Sequence, residues 1–268
     1  MSYEAILYEV KERIATITLN RPEHLNTWND TVATEVYAAM QAAGTDPEVR
    51  VIVFTGAGKA FCAGGDIHSF GGDPNQLMTK LPRPFDMRVR ADWQTRCSYY
   101  PAIPKPVIAM LNGATVGIGL IHALFCDIRF ASEDATITTA FARRGLSAEY
   151  GMAWILAHRA GHAHALELLL SGRKIKGREA ERMGLVNRAI PAEKLVEETY
   201  AYARDLAENC SPRSMRVMKQ QMWEVPFQTP HEAIMAAGLD MPIANQCDDY
   251  REGIASFLEK RKPNFSGT

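Results

Sequence analysis

The chain has 268 residues, of which 47% are hydrophobic, so it can bury one substantial core together with a smaller appended unit. Its formal net charge of −1 argues against a nucleic-acid-binding protein, because affinity for phosphate backbones needs a basic surface. Its five cysteines include no C-x-x-C spacing, so neither a disulfide framework nor a structural zinc site is indicated, and a reducing cytoplasm is the expected compartment.

The first elements in chain order are strands. Alternating apolar residues from Ile6 and again from Ala15, with Lys11 to Arg13 between them, predict an N-terminal hairpin. A helix is predicted from about Asp30 to Ala43, with Asp30 as its N-cap and an apolar face at Val32, Val36 and Met40.

Two short apolar runs, Val51 to Phe54 and Val107 to Leu111, predict buried strands. Between them, the segment from Gly71 to Pro84 has little hydrophobic periodicity, which predicts a mobile loop near the ligand pocket of the protein. From Val107 to Cys126 no charged residue occurs, yet polar residues and three glycines interrupt the segment, so a strand followed by a buried helix explains it better than a membrane span.

Past Pro191 the pattern is helical, through Glu193 to Glu208, Pro212 to Trp223 and His231 to Lys260. Strands alternating with helices, followed by a helical tail, predict an α/β fold with a core over residues 1–191 and a helical C-terminal subdomain over residues 192–268.

Each buried strand leads to a glycine-rich loop, Phe61 to Ile67 and Asn112 to Gly119. Two backbone N–H groups that point at one position form an oxyanion hole, and glycine lets the backbone approach a ligand closely. The second loop enters a predicted helix at Leu120, so the helix dipole would add to the attraction for a negative oxygen. For either loop alone, a tight turn under a packed sheet is an equally good interpretation.

The loops and their surroundings resemble the crotonase (enoyl-CoA hydratase/isomerase) superfamily over nearly the whole chain. Six segments occur in that family's order: Arg21 to Asn26, Ala60 to Asp66, Ile103 to Gly113, Cys126 to Ala131, Gly184 to Asn187 and Phe257 to Pro263. The resemblance implies a core of ββα units wound into a spiral. It also implies a helical tail used for trimerisation and for lining a neighbour's acyl pocket, and therefore a homotrimer or hexamer.

By this resemblance, the backbone N–H groups of Gly65 and Ile118 would hold a thioester carbonyl. Ile118 replaces the usual glycine, but any residue except proline keeps the N–H. Hydratases of the family place two glutamates around the substrate, and those positions hold Ile121 and Phe141 here. Two apolar residues cannot share general acid and base work, so the ordinary hydratase mechanism is in doubt.

Glu149 matches the position where the family's enoyl-CoA isomerases carry their base, and where related dehalogenases carry a nucleophilic aspartate. Glu149 is therefore the predicted catalytic residue. The alternative is a surface carboxylate near a helix start, stabilised by the dipole and by Arg143 or Arg144. Tyr150 could donate a hydrogen bond beside it, and His122 is a secondary candidate, although a lone histidine on an apolar helix is more often a hydrogen-bonded core residue.

Coenzyme A carries phosphate charges, so its site should be locally basic. The resemblance points to Arg21 and to the backbone of Ala63, Asp66 and Ile67 for the adenine and pantetheine parts, and His68 could lie beside them. Phe257 and Lys260 would approach the adenosine end from a neighbouring subunit.

Three hypotheses follow. The first is an isomerase or hydratase of enoyl-CoA thioesters that uses Glu149 and needs no metal or nicotinamide cofactor. The second is an acyl-CoA hydrolase or dehalogenase-like enzyme in which Glu149 attacks the substrate or activates water. The third is a protein that binds acyl-CoA thioesters without catalysis.

Overall fold

The computed structural model describes residues 3–66, 86–87 and 89–268 of the chain. Ile67, His68 and the predicted mobile loop lie outside the described residues. Within the described part, two β-sheets and the helices between their strands form a mixed α/β fold, as the sequence predicts.

The main sheet has six strands in the order β1-β2-β3-β5-β7-β10. Their bounds are β1 Ile6–Lys11, β2 Ile14–Leu19, β3 Val51–Gly56, β5 Val107–Leu111, β7 Ile128–Ser132 and β10 Arg188–Ile190. The pair β1 and β2 is antiparallel, which confirms the predicted hairpin, and its turn places Glu12 and Arg13 at positive φ. The other neighbours in this sheet are parallel, so each connection crosses over the sheet.

The second sheet has four short strands in the order β4-β6-β8-β9. They are β4 Ala60–Cys62, β6 Ala114–Val116, β8 Thr136–Thr138 and β9 Ile175–Lys176. Because β4, β6 and β8 are parallel, their carboxyl ends share one edge of the sheet. Both glycine-rich loops leave from that edge.

Eight α-helices occur in the described residues: α1 Asp30–Thr45, α2 Ile118–Phe125, α3 Met152–Ser171, α4 Gly177–Arg182, α5 Ala192–Asn209, α6 Pro212–Glu224, α7 Pro230–Ala244 and α8 Asp248–Glu259. The predicted N-cap of α1 is wrong by one residue, since the Asn29 side chain accepts the Val32 N–H at 2.9 Å. The prediction of one continuous tail helix from His231 to Lys260 is also wrong, because a short non-helical segment separates α7 from α8.

The centre of the main sheet is buried on both faces, since every residue of β3 and of β5 is buried. Ile52 and Phe54 belong to the larger hydrophobic cluster, which also contains the buried faces of α1 and α2. Val51 and Val53 belong to a second cluster with Leu195 and other residues of α5. Since α5 packs on the sheet although it lies past residue 191, the boundary between the two predicted domains stays a prediction.

The uncharged segment from Val107 to Cys126 forms β5, β6 and α2, as predicted for a strand followed by a buried helix. None of the helices in the described part of the chain is long and apolar enough to cross a membrane.

Candidate active site

The two glycine-rich loops meet where α2 packs against the end of β4. A Cβ added to Gly119 would lie 2.6 Å from the Cys62 Cβ and 2.7 Å from the Cys62 carbonyl oxygen, so only glycine permits this approach. Gly64 has a φ of +112°, a conformation that L side chains rarely adopt. The sequence of both loops therefore sets how closely their backbones lie together.

The N–H of Gly65 lies beside a short parallel bridge to Trp28. Trp28 donates its N–H to the Gly64 carbonyl at 2.8 Å, and the N–H of Asp66 donates to the Trp28 carbonyl at 2.9 Å. The bridge uses the groups that flank Gly65 and not the N–H of Gly65 itself. That N–H is directed away from the bridge and can serve as a donor to a ligand.

Ile118 is the first residue of α2, two residues earlier than the helix predicted from Leu120. Its N-cap, Gly117, has a φ of +51° and provides no side-chain capping bond. The first N–H groups of a helix have no partner within the helix and lie at its positive end. Ile118 therefore presents a backbone N–H despite its bulky side chain.

Two positions hold glutamates in the hydratases of the family that this sequence resembles. In this chain both positions hold buried apolar residues. Ile121 is 0% exposed within α2, and Phe141 is 7% exposed just before a short 3-10 helix, Ala142–Arg144. Both belong to the larger hydrophobic cluster. No general acid or base can come from either position.

Glu149 lies three residues before α3 and is partly buried. Burial raises the pKa of its carboxyl above the ordinary value. The alternative interpretation was a surface carboxylate near a helix start, stabilised by the dipole and by Arg143 or Arg144. Glu149 does precede α3, but the Arg143 Nε donates to the Ser171 carbonyl at 2.8 Å, and in the described ranges no salt bridge to Glu149 occurs. The structure thus leaves Glu149 as a partly desolvated carboxylate.

Glu149 is close to other polar groups in this region. Its charge acts on the Cys97 thiol and on the Tyr150 hydroxyl, whose pKa values are both raised mainly by burial. Tyr150 has a φ of +49° and packs against the core. This strained backbone next to Glu149 is a feature often found where a side chain is held for function.

His122 is a buried core residue, as the more conservative interpretation predicted. Its Nδ1 lies 2.7 Å from the Tyr100 hydroxyl, and its ring stacks on Trp28 with centroids 3.7 Å apart. Burial, followed by the nearby charge of Arg96, lowers its pKa to about 3. His122 therefore remains neutral at physiological pH and cannot act as a cationic general acid.

The residues predicted to hold coenzyme A lie around the first loop. Arg21 pairs with Asp66 at 3.0 Å and also donates to the Thr27 carbonyl at 2.8 Å. The N–H of Ala63 donates to the Leu25 carbonyl at 3.0 Å. Of the two backbone groups of Ala63, only the carbonyl is therefore available to accept a hydrogen bond from a ligand. Ile67 and His68 lie outside the described residues, and their predicted contacts stay predictions.

Phe257 lies on α8, and Lys260 follows it in the left-handed conformation. The Phe257 side chain is 82% exposed, so it makes few packing contacts within its own chain. The neighbouring basic residue Arg261 forms salt bridges with Glu252 and Glu259, which reduces the positive charge available at this end of the chain. A role in binding the adenosine end stays a prediction.

Sequence reasoning missed Trp28, which forms a bridge with Gly65, and Arg96, whose charge acts on His122 and Tyr150. Trp28 could have been noticed as a large aromatic residue two positions after the Arg21 to Asn26 segment. Arg96 carries no local pattern that distinguishes it from a surface arginine. Its place beside Asp30 and His122 comes only from tertiary packing.

Comparison with known proteins gives a whole-chain match. Residues 9–268 match the family model described as enoyl-CoA hydratase/isomerase. A probable enoyl-CoA hydratase of Rhodobacter capsulatus is 36% identical over 267 residues, with 100% of each chain covered. The chain belongs to the enoyl-CoA hydratase/isomerase family.

Two further relatives agree with this assignment. The 1,2-epoxyphenylacetyl-CoA isomerase of Escherichia coli is 32% identical, over 98% of this chain and 99% of that one. The crystal structure of an enoyl-CoA hydratase from Bacillus anthracis superposes with a TM-score of 0.89 at 27% identity, over 99% of this chain and 100% of that one. The predicted family, fold and hydratase/isomerase type of enzyme are confirmed, and membership of the family implies an acyl-CoA substrate.

Proposed function

We propose that this enoyl-CoA hydratase/isomerase family member moves the double bond of an enoyl-CoA thioester, with Glu149 as its single acid and base. The observation that carries the proposal is the distribution of carboxyl groups. Ile121 and Phe141 provide none, whereas Glu149 is partly buried and has a raised pKa. One carboxyl group suffices to remove a proton and return it, because no second group is needed to activate water.

In this reaction the Glu149 carboxylate removes a proton from C2 of a 3-enoyl thioester. The C–H electron pair moves into the conjugated system, and negative charge develops on the thioester oxygen. The N–H groups of Gly65 and Ile118 stabilise that oxygen, and such preorganised donors are typically worth about 3 kcal/mol each. Glu149 then returns the proton at C4, which leaves the double bond between C2 and C3.

The environment of Glu149 supports this cycle. A carboxyl group with a raised pKa is a stronger base when ionised and holds the proton long enough to deliver it to another carbon. The transfer is redox-neutral, and the two N–H groups supply the stabilisation of the oxyanion. We therefore also propose that no metal or nicotinamide cofactor is required.

Hydration is the second candidate reaction, because the first relative compared is named as a probable hydratase. It would require Glu149 both to activate water and to protonate C2. The absence of a carboxyl group at Ile121 and Phe141 makes this less favourable than migration.

We propose further that the enzyme is a homotrimer or a dimer of trimers. None of the residues of α7 is buried, and its exposed apolar side chains are 55% to 73% accessible. They are Ile234, Met235, Leu239, Met241 and Ile243. A helix with so much exposed apolar surface is typical of an interface between subunits. The exposed Phe257 side chain would then reach a neighbouring subunit's acyl-CoA.

The test of the proposed function is product analysis with paired 2-enoyl-CoA and 3-enoyl-CoA substrates. Migration converts one isomer into the other, which chromatography separates, without a change in mass, whereas hydration adds the mass of one water molecule and hydrolysis releases free coenzyme A. We expect migration with the wild-type enzyme and its loss in Glu149→Gln.

A matched control is Glu193→Gln, which replaces an exposed carboxylate in the first turn of α5. It should behave as the wild type does. Hydration that depends on Glu149 would replace migration as the function, and binding of acyl-CoA without turnover would show that the protein is not catalytic.

A further inference from the structure

The first glycine-rich loop is held along one side by the segment from Arg21 to Trp28, here named the clamp segment. Three backbone hydrogen bonds join the two: Ala63 N–H to the Leu25 carbonyl at 3.0 Å, Trp28 N–H to the Gly64 carbonyl at 2.8 Å, and Asp66 N–H to the Trp28 carbonyl at 2.9 Å. They hold the loop on both sides of Gly65, whose own N–H takes part in none of them. The direction of the Gly65 N–H therefore depends on how the clamp segment lies against the loop.

The clamp segment has a fixed shape because Asn26 holds it to the strand that leads into the loop. Asn26 is 1% exposed, its Oδ1 accepts the Arg21 N–H at 2.9 Å, and its Nδ2 donates to the Ala57 and Ala60 carbonyls at 2.8 and 2.7 Å. Leu25 and Asn26 have φ values of +51° and +55°. Such a conformation costs energy for residues other than glycine and persists where the surrounding structure imposes it.

The Arg21 side chain connects the clamp segment to the loop. Its Nη1 donates to the Thr27 carbonyl at 2.8 Å, and its Nη2 donates to the Asp66 carboxylate at 3.0 Å. The side chains of Arg21 and Asp66 are only 18% and 11% exposed. A guanidinium reaches two acceptors at fixed angles, and a charge-assisted hydrogen bond is stronger than a neutral one. Arg21 therefore ties Asp66, the residue next to Gly65, to the clamp segment.

The same contacts make Arg21 a poor ligand for the phosphates of coenzyme A. Its positive charge is already compensated by the Asp66 carboxylate. A phosphate group would have to displace that carboxylate or lie close to it, and like charges at short distance repel each other. A residue that fixes the loop needs no free positive charge.

We propose that Arg21 is a positioning residue, which acts through Asp66 to direct the Gly65 N–H at the thioester oxygen, and that it is not a ligand of coenzyme A. This role would replace the one that the family resemblance implied for Arg21. The inference rests on the proposed function only in taking the Gly65 N–H as a donor to the thioester carbonyl.

The first test measures the thioester carbonyl itself, without turnover. Hexanoyl-CoA labelled with carbon-13 at its carbonyl is bound to the protein, and difference infrared spectroscopy gives the stretching frequency. In the wild type this frequency should be lower than in water, because two preorganised donors polarise the bond. In Arg21→Lys the downshift should shrink by about half, since lysine cannot span both acceptors and one of the two donors is displaced. Asp66→Asn, which removes the carboxylate, should have the same effect.

The second test separates positioning from phosphate binding. Migration is measured with 3-hexenoyl-CoA and with the 3-hexenoyl thioester of pantetheine, which carries no phosphate. Arg21→Lys should lower kcat by about 10- to 100-fold with both substrates, somewhat less than the roughly 10²- to 10³-fold loss on removing an oxyanion donor outright. Loss of a phosphate ligand would instead raise KM for the coenzyme A substrate alone.

Arg173→Lys is the matched control. Arg173 also bridges two acceptors, Glu167 at 2.6 Å and Glu179 at 2.7 Å, but it links α3 to α4. This variant should have the carbonyl frequency and the kcat of the wild type. The double variant Arg21→Lys/Asp66→Asn should be no slower than the slower single variant, because both substitutions break the same link.

A wild-type carbonyl frequency and kcat in Arg21→Lys and Asp66→Asn would overturn the inference, as would a loss confined to the coenzyme A substrate. Thermal unfolding shows whether each variant folds, and either one alone suffices for the infrared test. A downshift that both variants leave unchanged would contradict only the role of Arg21. Because hexanoyl-CoA does not react, a downshift that depends on Arg21 without any turnover of enoyl-CoA would support this inference and refute the proposed function.

Discussion

Glu149 combines partial burial with the absence of a counter-ion in the described residues, and this combination sets how its activity responds to pH. Burial raises its pKa above the ordinary value of 4.5. The proposed reaction needs the ionised carboxylate as base, so the rate should rise with pH through this raised pKa. We expect kcat/KM for double-bond migration to increase from about pH 4 and to reach a plateau near neutrality.

This pH dependence can be measured with a single 3-enoyl-CoA substrate. Glu149→Asp keeps a titrating carboxyl group and should retain a pH-dependent but reduced rate. A rate that does not vary over the acidic range, or that varies identically in Glu149→Gln, would show that another group titrates.

His122 provides a prediction about stability. Its pKa is about 3 in the folded protein and 6.5 in the ordinary state, so the unfolded chain binds the proton more tightly. The stability associated with neutral His122 is present above pH 6.5 and is lost as pH falls towards 3. Between about pH 7 and pH 5, the free energy of unfolding should fall by about 2 kcal/mol more in the wild type than in His122→Gln.

Urea unfolding at the two pH values, with both proteins in parallel, measures this difference. Equal losses in the wild type and the variant would mean that His122 is accessible to protons in the folded state. The burial of its ring against Trp28 would then be contradicted.

At the scale of single residues, the sequence was most informative where backbone chemistry determines the role. Gly65 and Ile118 were predicted from the resemblance to the family, and the prediction does not depend on the side chain because a loop or a helix start presents an N–H in any case. Trp28 and Arg96 could not, because their importance depends on side chains that meet through the packing of distant segments. The roles of Gly65, Ile118, Glu149 and the predicted coenzyme A ligands stay predictions.

Among the elements, α2 has the strictest packing requirement, since Gly119 lets its first turn lie against Cys62. In Gly119→Ala the new Cβ would meet the Cys62 backbone and side chain at 2.6 to 2.9 Å. The helix must shift, and its first N–H, that of Ile118, would move with it. We expect a loss of about 1 to 3 kcal/mol in stability and a large decrease in the rate of migration.

Gly44→Ala in α1 is the matched control for this substitution. A Cβ there would make ordinary contacts of 3.5 Å with Ile103 and Pro104, and alanine favours helix over glycine. Thermal unfolding should show that Gly44→Ala is unchanged or more stable. A Gly119→Ala variant with wild-type stability and rate would show that the close packing of α2 is not needed.

The predicted elements agree with the structure where a short apolar run or a hairpin specifies them, as in β1, β2 and β5. Errors occur at helix ends. Asn29 and not Asp30 caps α1, since the Asn29 side chain accepts the Val32 N–H and Asp30 is the first helical residue. Asp30 instead forms a salt bridge with Arg96 that no local pattern indicates. The long helix α3 was not predicted, and its pattern is broken by Gly161, which has a φ of +76° inside the helix.

For the whole molecule, the exposed apolar face of α7 predicts an oligomer. Leu239 is 73% exposed in the single chain. In an assembly, Leu239→Glu would place a charge in an apolar interface and should dissociate it into smaller species. Val196→Glu on α5, where the side chain is 56% exposed, is the control and should leave the assembly intact.

Sedimentation velocity distinguishes these outcomes. A wild-type protein that sediments as a monomer, or a Leu239→Glu variant that assembles normally, would contradict the role of α7. If Phe257 reaches a neighbouring site, dissociation should also weaken the binding of acyl-CoA. The family match explains why the fold could be predicted for the whole molecule, whereas the assembly depends on surfaces that a single chain leaves uncovered.

The most direct test of the central claim is the rate of double-bond migration in a 3-enoyl-CoA with the wild type and with Glu149→Gln at saturating substrate. If Glu149 is the only acid and base, kcat should fall by at least about 10²-fold while the dissociation constant of a saturated acyl-CoA changes little. Equal values of kcat in the two proteins would remove Glu149 from the mechanism and contradict the proposed function.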